Sequence, residues 1–395
     1  MNPWRDLKGL PKELWLLSAT VLINRAGTMV LPFLMIYLTK ALNIPAQKAS
    51  LALIAHGIGG ILTAPIAGRI ADNIGASKVM KTSLVLSGLT LFLFPFINSF
   101  PAIVALTFIW SIISEAFRPA CMAIISEIVP SSQLKQAFAL NRLAINLGMS
   151  VGPAVGGFLV YFSYPLLFVV DGVTSLVAGI VLILFFKHVK KAFIVKSESH
   201  AKLENIDNPL PPVKNRAFIY FLLALIPTIL VFFQLESTAA LYLVRDLKMS
   251  EAIYGLLFTL NTIIITFLEI PINSVTNTWA YKYSLALGCI LIALGFGAMI
   301  WISDPITAAI SVVIWTFGEM ILFPASSAYV AEVSPVSRRG EYMGIFAMSF
   351  GFGTTLGPVF GTNVLENFGA STLWISCLFL GFLSAIMMLK IKQKA

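Results

Sequence analysis

Four ionisable residues stand deep inside long apolar runs, far from any polar flank. Arg25 lies 13 residues after Lys12 and 15 before Lys40, and Glu115 lies 14 after Pro101 and 15 before Pro130. Glu319 lies 15 after Asp304 and 16 before Pro335, and Arg118 follows Glu115 by three, on the same helical face. A charge at the centre of a membrane-spanning helix costs about 2.5–3.5 kcal/mol or more, so each of these needs a partner or a purpose. Two readings are open. In one, Arg25, Glu115 and Arg118 form a buried structural ion network. In the other, a carboxylate near mid-membrane takes up and releases protons, since an acid in a low dielectric exchanges its charge for a proton unless a cation stands nearby. Glu319 has no basic residue on its own helix and is the first candidate for that role. Glu115, with Arg118 beside it, is the second. Arg25 and Arg118 would then hold an anionic group of a substrate, or Glu115 itself.

Other polar and aromatic residues are candidates for the same cavity. Glu236 and Gln234 lie in the outer third of the seventh apolar run, and Tyr37, Phe233 and Trp315 could line an apolar wall. Asp171 and Glu269 stand closer to helix ends and suit capping or gating. His56 among apolar neighbours suits packing better than proton relay.

These residues need helices in lipid to position them. The chain has 395 residues, 58% hydrophobic and only 11% charged, with a mean hydropathy of +0.89. Soluble proteins carry about 25% charged residues, so no aqueous fold could hide this much apolar surface. The length accommodates about a dozen spans of ~20 residues each, joined by short loops. The first long run, from Leu14 to Leu38, exceeds a signal-peptide core and is expected to remain as a span.

The chain also repeats itself. Under a gapless shift of 205 residues, Pro119, Ala120, Ala123, Glu127, Pro130, Ser132, Gly148, Gly152, Pro153 and Gly156 fall on identical residues, ten matches over 38 positions. The same shift places Asp72 on Asn277. Two similar halves of six spans each enter the membrane in the same sense, and a substrate site is expected between them near mid-membrane. The expected architecture is an all-α membrane protein of twelve transmembrane helices in two six-helix bundles. Residues 1–187 would form the first bundle, 188–216 a cytoplasmic linker, and 217–395 the second bundle.

The net charge of +9 is explained by orientation rather than by nucleic acid. With these spans, 20 basic residues fall on the side of both termini, and only Lys40, Lys48, Arg245 and Lys248 fall on the other. This bias places both termini in the cytoplasm of a cell whose inner (plasma) membrane the chain crosses many times. No nucleic-acid partner is expected. The three cysteines are far apart and give no metal-ligand spacing, and no phosphate-binding Gly-x-x-x-x-Gly-Lys loop is present. No cofactor or metal is expected, and a membrane enzyme is disfavoured because no His-Asp pair is available.

Two motifs carry a family resemblance. Gly68-x-x-x-Asp72-x-x-Gly75, after the second span, resembles the loop signature of the major facilitator superfamily, with Asn73 and Ala76 where the family has basic residues. Gly148-x-x-x-Gly152-Pro153-x-x-Gly156 resembles the fifth-helix signature of its twelve-span drug:proton antiporters. The resemblance implies a secondary transporter acting by alternating access, a monomer whose partners are a small-molecule substrate, protons and the lipid bilayer. It implies gating roles for Gly68, Asp72, Gly75, Gly148, Gly152, Pro153 and Gly156. Its best form is a proton-coupled exporter of small amphipathic compounds, a multidrug efflux antiporter. A weaker resemblance of the Glu319 region to proton-dependent peptide transporters leaves open an uptake symporter for peptides or other zwitterionic solutes.

Overall fold

The computed structural model describes residues 9–185, 209–235 and 238–391. They form twelve membrane-spanning helices in two six-helix bundles, with no strand among the described residues. The first bundle contains α1 (Lys12–Gly27, continued by Val30–Ile36), α2 (Ala46–Ile74), α3 (Ala76–Leu91), α4 (Phe100–Glu115 and Phe117–Ile128), α5 (Leu134–Phe162) and α6 (Pro165–Phe185). The second contains α7 (Arg216–Phe232, resuming at Thr238–Ala240), α8 (Glu251–Thr276), α9 (Tyr281–Gly297) and α10 (Pro305–Val333). It ends with α11 (339–368) and α12 (370–389), separated at Gly369, whose φ of 83° takes the left-handed conformation that glycine adopts without strain. Most of the expected linker, and Glu236 with it, lies outside the described residues.

Sequence explains where these helices begin and which way they face. Asp304 caps α10: its Oδ1 accepts from Ile306 N (2.8 Å) and Thr307 N (3.0 Å), which hold its carboxyl below the usual carboxylate range. Asn215 and Ser250 cap α7 and α8 in the same way. On α2, Leu51, Ile54, Ile58, Leu62, Ile66 and Ile70 recur every three or four residues and are all exposed, an apolar stripe suited to lipid.

The 205-residue repeat is reproduced in the contacts. A Cβ added to Gly152 on α5 would meet the carbonyls of Thr28 (2.7 Å) and Arg25 (3.2 Å) on α1. One added to Gly357 on α11 would meet Phe233 (3.0 Å) and the carbonyl of Leu230 (3.5 Å) on α7, the repeat equivalents of Thr28 and Arg25. The small-residue ridge therefore lets two backbones approach closely in both halves. Gly148 meets Arg25 and Ala26, and Gly156 meets Met29 and Phe33, so the expected ridge is continuous; the side chain of Pro153 is not among those described. Gly152→Val is expected to destabilise the protein by about 1–3 kcal/mol, read as a lowered Tm in detergent, because the carbonyls it would strike belong to backbone.

The first and seventh spans are both broken, at repeat-equivalent places. Helix α1 interrupts at Thr28–Met29, and Asp171 of α6 accepts from Met29 N (3.2 Å) and Val30 N (3.1 Å), capping the second segment. Helix α7 interrupts after Phe232, where Gln234 donates to the carbonyls of Leu230 (2.8 Å) and Gly357 (2.9 Å) and accepts from Thr238 (2.7 Å). These buried side chains satisfy the backbone groups that the breaks release.

Candidate functional site

The two bundles meet along two seams related by the repeat. In one, α11 packs against α2 and α4; in the other, α5 packs against α8 and α10. Between the seams lies a cavity of about 760 Å³. Its wall is largely apolar, with Phe117, Phe138, Phe232, Phe233, Phe258, Phe323 and Phe350, and its polar groups include Arg25, Arg118, Asn141, Arg142, Asn146, Asn261 and Glu319. A roomy apolar pocket with a few convergent polar groups is what a small amphipathic ligand requires.

Glu319 does line this cavity, and it is held by a residue on the opposite half. Arg142 of α5 pairs through Nη2 with Glu319 Oε1, and through Nη1 donates to the Glu319 carbonyl (2.8 Å) and to Glu269 Oε1 on α8 (3.3 Å). Asn261 of α8 donates to Glu319 Oε2 (3.1 Å). The guanidinium stacks over the Phe323 ring at 5.2 Å, and its exposure is only 15%, against 0% for the Glu269 side chain and 7% for Glu319. One arginine thus joins three helices from two halves.

Arg25 and Arg118 line the same cavity, but they form no ion pair with Glu115 among the described residues. The expected Arg25–Glu115–Arg118 network does not close. Glu115 faces α2, its Cγ 3.2 Å from where a Cβ on Gly60 would sit, and is not part of the cavity wall. Arg118 lies over the Phe350 ring at 5.4 Å, and Arg25 Nε is buried without a hydrogen-bond partner. Of the other expected lining residues, Phe233 is in the wall, whereas Tyr37, Gln234 and Trp315 are not. Tyr37 packs on Phe168 (5.0 Å) in the first bundle. Trp315 packs on Phe296 (5.8 Å) in the core of the second, and Gln234 is spent on the α7 break.

The face on which α1 begins and α12 ends is shut by two loops. Asp72 accepts from Gly340 N (2.7 Å) and Glu341 N (2.8 Å), the first turn of α11, where the helix dipole favours an anion. Gly68 and Gly340 sit backbone to backbone, so neither could carry a side chain there without the loops parting. Arg69 and Arg338 both pair with Glu341, at 2.8 and 3.0 Å. Gly75 turns the chain into α3 with φ 95°. At the repeat-equivalent place Asn277 replaces the acid and donates to the Ser132 carbonyl (2.8 Å). There Lys135, the equivalent of Gly340, donates to the carbonyls of Thr276 (2.9 Å) and Trp279 (2.8 Å) and to Ser284 Oγ (3.3 Å). One latch sets an anion on a helix N-terminus, and the other sets a cation on a helix C-terminus.

The family model described as Major Facilitator Superfamily matches residues 17–242 and 229–394, almost the whole chain. The chain belongs to that superfamily. It is a multi-pass membrane transporter, not an enzyme. It is 26% identical to the uncharacterized MFS-type transporter YqjV of Bacillus subtilis, over 94% of this chain and 90% of the relative. It is 24% identical to the quinolone resistance protein NorA of Staphylococcus aureus, over 88% of each chain. It is 21% identical to a Na(+), Li(+), K(+)/H(+) antiporter of Planococcus maritimus, over 85% of each. The human organic anion transporter MFSD10 superposes with a TM-score of 0.75, covering 95% of this chain and 98% of its own at 16% identity, a likeness of fold.

Within this superfamily fold, the residues least visible in sequence are Arg142, Asn261 and Lys135. A signal did exist: Arg142, Asn146 and Ser150 follow one another at four-residue spacing on α5, and all three line the cavity. A polar stripe on an otherwise apolar span marks the face turned away from lipid.

Proposed function

We propose that this protein is a proton-coupled exporter of small amphipathic compounds, working by alternating access as residues 1–187 and 217–395, joined by the linker 188–216, rock about the central cavity. The observation that carries this reading is the Arg142–Glu319 pair at the cavity wall. An ion pair between the halves holds one conformation, and a proton on the carboxylate releases it. Gating would fall to the glycine ridges and to the latch of Gly68, Asp72 and Gly75. The sidedness of the basic residues supports termini in the cytoplasm, so the latched face is the inner one and the cavity serves the outside. The NorA and cation/proton antiporter relatives support export by exchange from the inner membrane. A cavity lined by both halves of a single chain supports a monomer as the working unit in the bilayer.

Two guanidiniums that form no ion pair among the described residues favour substrates with an anionic group on an aromatic or aliphatic body. Arg25 and Arg118 supply the charge and the phenylalanines supply the walls. The uptake reading for zwitterions needs a free acid in the second half; among the described residues of the cavity wall, the acid there, Glu319, already holds Arg142.

Reconstituted into liposomes, the protein is expected to move the quinolone norfloxacin against an imposed pH gradient, with substrate and protons travelling in opposite directions. Movement in the same direction would replace the exporter with the symporter. Arg118→Met is expected to weaken binding of norfloxacin about 10- to 100-fold, the worth of a charge-assisted hydrogen bond, and to spare its uncharged-carboxyl ester. Equal losses for acid and ester would remove Arg118 from anion recognition.

A further inference from the structure

The charges around Arg142 occupy only one of two equivalent seams. Under the 205-residue shift, Arg142 of α5 corresponds to Ala347 of α11, Glu269 of α8 to Ala64 of α2, and Glu319 of α10 to Ser114 of α4. At these three positions the other seam carries no charge and packs closely, with Gly344 set against the carbonyl of Ala64; its ions, Asp72 and the Arg69–Glu341 pair, lie at the latch. The fold therefore closes this depth of the junction without ions, and the three charges serve something other than assembly. Burying a charge is costly, and an ion pair seldom outperforms an apolar contact of the same shape.

The charge balance of the seam is uneven. Glu269 and Glu319 share a single guanidinium; the other charges that face one another across these helices, Lys135 of α5 and Glu332 of α10, are of opposite sign and lie nearer the end of the seam, seven residues before Arg142 and 13 after Glu319. Glu269 Oε1 receives Arg142, but Oε2 is fully buried with no hydrogen-bond partner. One turn further along α8, Asn273 Oδ1 is also buried and unpartnered. Two carboxylates against one guanidinium leave a surplus charge of minus one, which a buried site does not hold bare.

We infer that Glu269 and Glu319 form one exchange site in which the Arg142 guanidinium and a proton alternate as counter-ion. With Arg142 docked, the pair holds one proton. When α5 draws away from α8 and α10, the guanidinium leaves with it, and a second proton from the water of the cavity takes its place. Its return expels that proton. Glu269 is thereby a coupling residue equal in rank to Glu319, and one proton is exchanged for each departure of Arg142. This rests on the proton-coupled reading above and adds the second acid and the exchange with arginine.

The test uses the full chain in lipid bilayers and no substrate. Infrared titration of the carboxyl stretch compares wild type with Glu269→Gln and Glu319→Gln. Each variant is expected to lose one protonatable carboxyl and to displace the midpoint of the one that remains by about one pH unit, since sites sharing a counter-ion titrate together. If Glu319→Gln removes a band while Glu269→Gln neither removes nor displaces one, the inference falls and proton coupling through Glu319 stands. If neither variant changes the titration, both fall. Replacing choline chloride by sodium chloride is expected to leave the bands unmoved; bleaching by sodium would assign the site to that ion and overturn the proton. Should Glu269→Gln fold poorly, Glu269→Ala imitates the natural Ala64 of the other seam and reports on the same Glu319 band.

Discussion

Replacing Arg142 by methionine is expected to abolish transport and to destabilise the protein by about 3–5 kcal/mol, the cost of leaving a buried charge without its partner. The side chain joins Glu269, Glu319 Oε1 and the Glu319 carbonyl. Methionine fills the volume but satisfies none of these acceptors. Arg142→Lys separates charge from geometry. An ammonium restores the counter-ion, but it lacks the planar fork that reaches both acids, so Arg142→Lys should recover most of the Tm and little of the flux. The double variant Arg142→Met/Glu319→Gln removes one charge of each sign. It should regain stability relative to Arg142→Met alone, by a coupling of about 0.5–3 kcal/mol in a double-mutant cycle, while transport remains absent. Thermal unfolding in detergent and flux in proteoliposomes give the two readings. If Arg142→Met melts like wild type, the pair does not hold the halves together, and the mechanism built on it fails.

How far this site could be read from sequence follows from what a one-dimensional pattern contains. The repeat specified helix number and order, and it reaches down to single contacts, because Gly152 and Gly357 meet equivalent partners on α1 and α7. Depth along a helix is legible too: counting from polar flanks places Arg25 and Glu319 at mid-span, and both line the cavity, as does Arg118 three residues after Glu115. Rotation about the helix axis is less legible. Tyr37 and Trp315 have suitable depth and chemistry, yet their rings turn into bundle cores, and spans that are apolar all round give no face to choose. Pairing between halves is not legible at all. Glu319 has no basic neighbour on α10, but its partner is 177 residues earlier in the chain. Arg142 lies seven residues after Lys135, close enough to a span end to resemble an interfacial charge. Docking of α5 on α8 and α10 brings it to the acid. The polarity reversal of the second latch is hidden for the same reason: the sequence shows Asn277 in place of the acid, and only the fold sets Lys135 across the seam.

That reversal makes the two latches of this face separable by mutation. Asp72 places one oxygen on each of two N–H groups of α11. Asparagine has a single acceptor oxygen and no charge, so Asp72→Asn leaves one donor orphaned and removes the favourable interaction with the helix dipole. A charge-assisted hydrogen bond is worth about 1.5–3 kcal/mol, equivalent to a shift of about 10- to 100-fold towards the conformation in which this face is open. Lys135→Met acts on the other latch through the carbonyls of Thr276 and Trp279. The two latches share no residue, so their effects on the equilibrium should add to within about 0.5 kcal/mol. Spin labels at Ser77, in the first turn of α3, and at Ser337, in the turn before α11, stand on either side of the Asp72 latch and report the opening as a growing long-distance population. Single variants should each populate it and the double variant should make it dominant. An unchanged distance distribution in Asp72→Asn would mean that the backbone contact of Gly68 with Gly340 alone keeps this face shut, with the carboxylate a bystander.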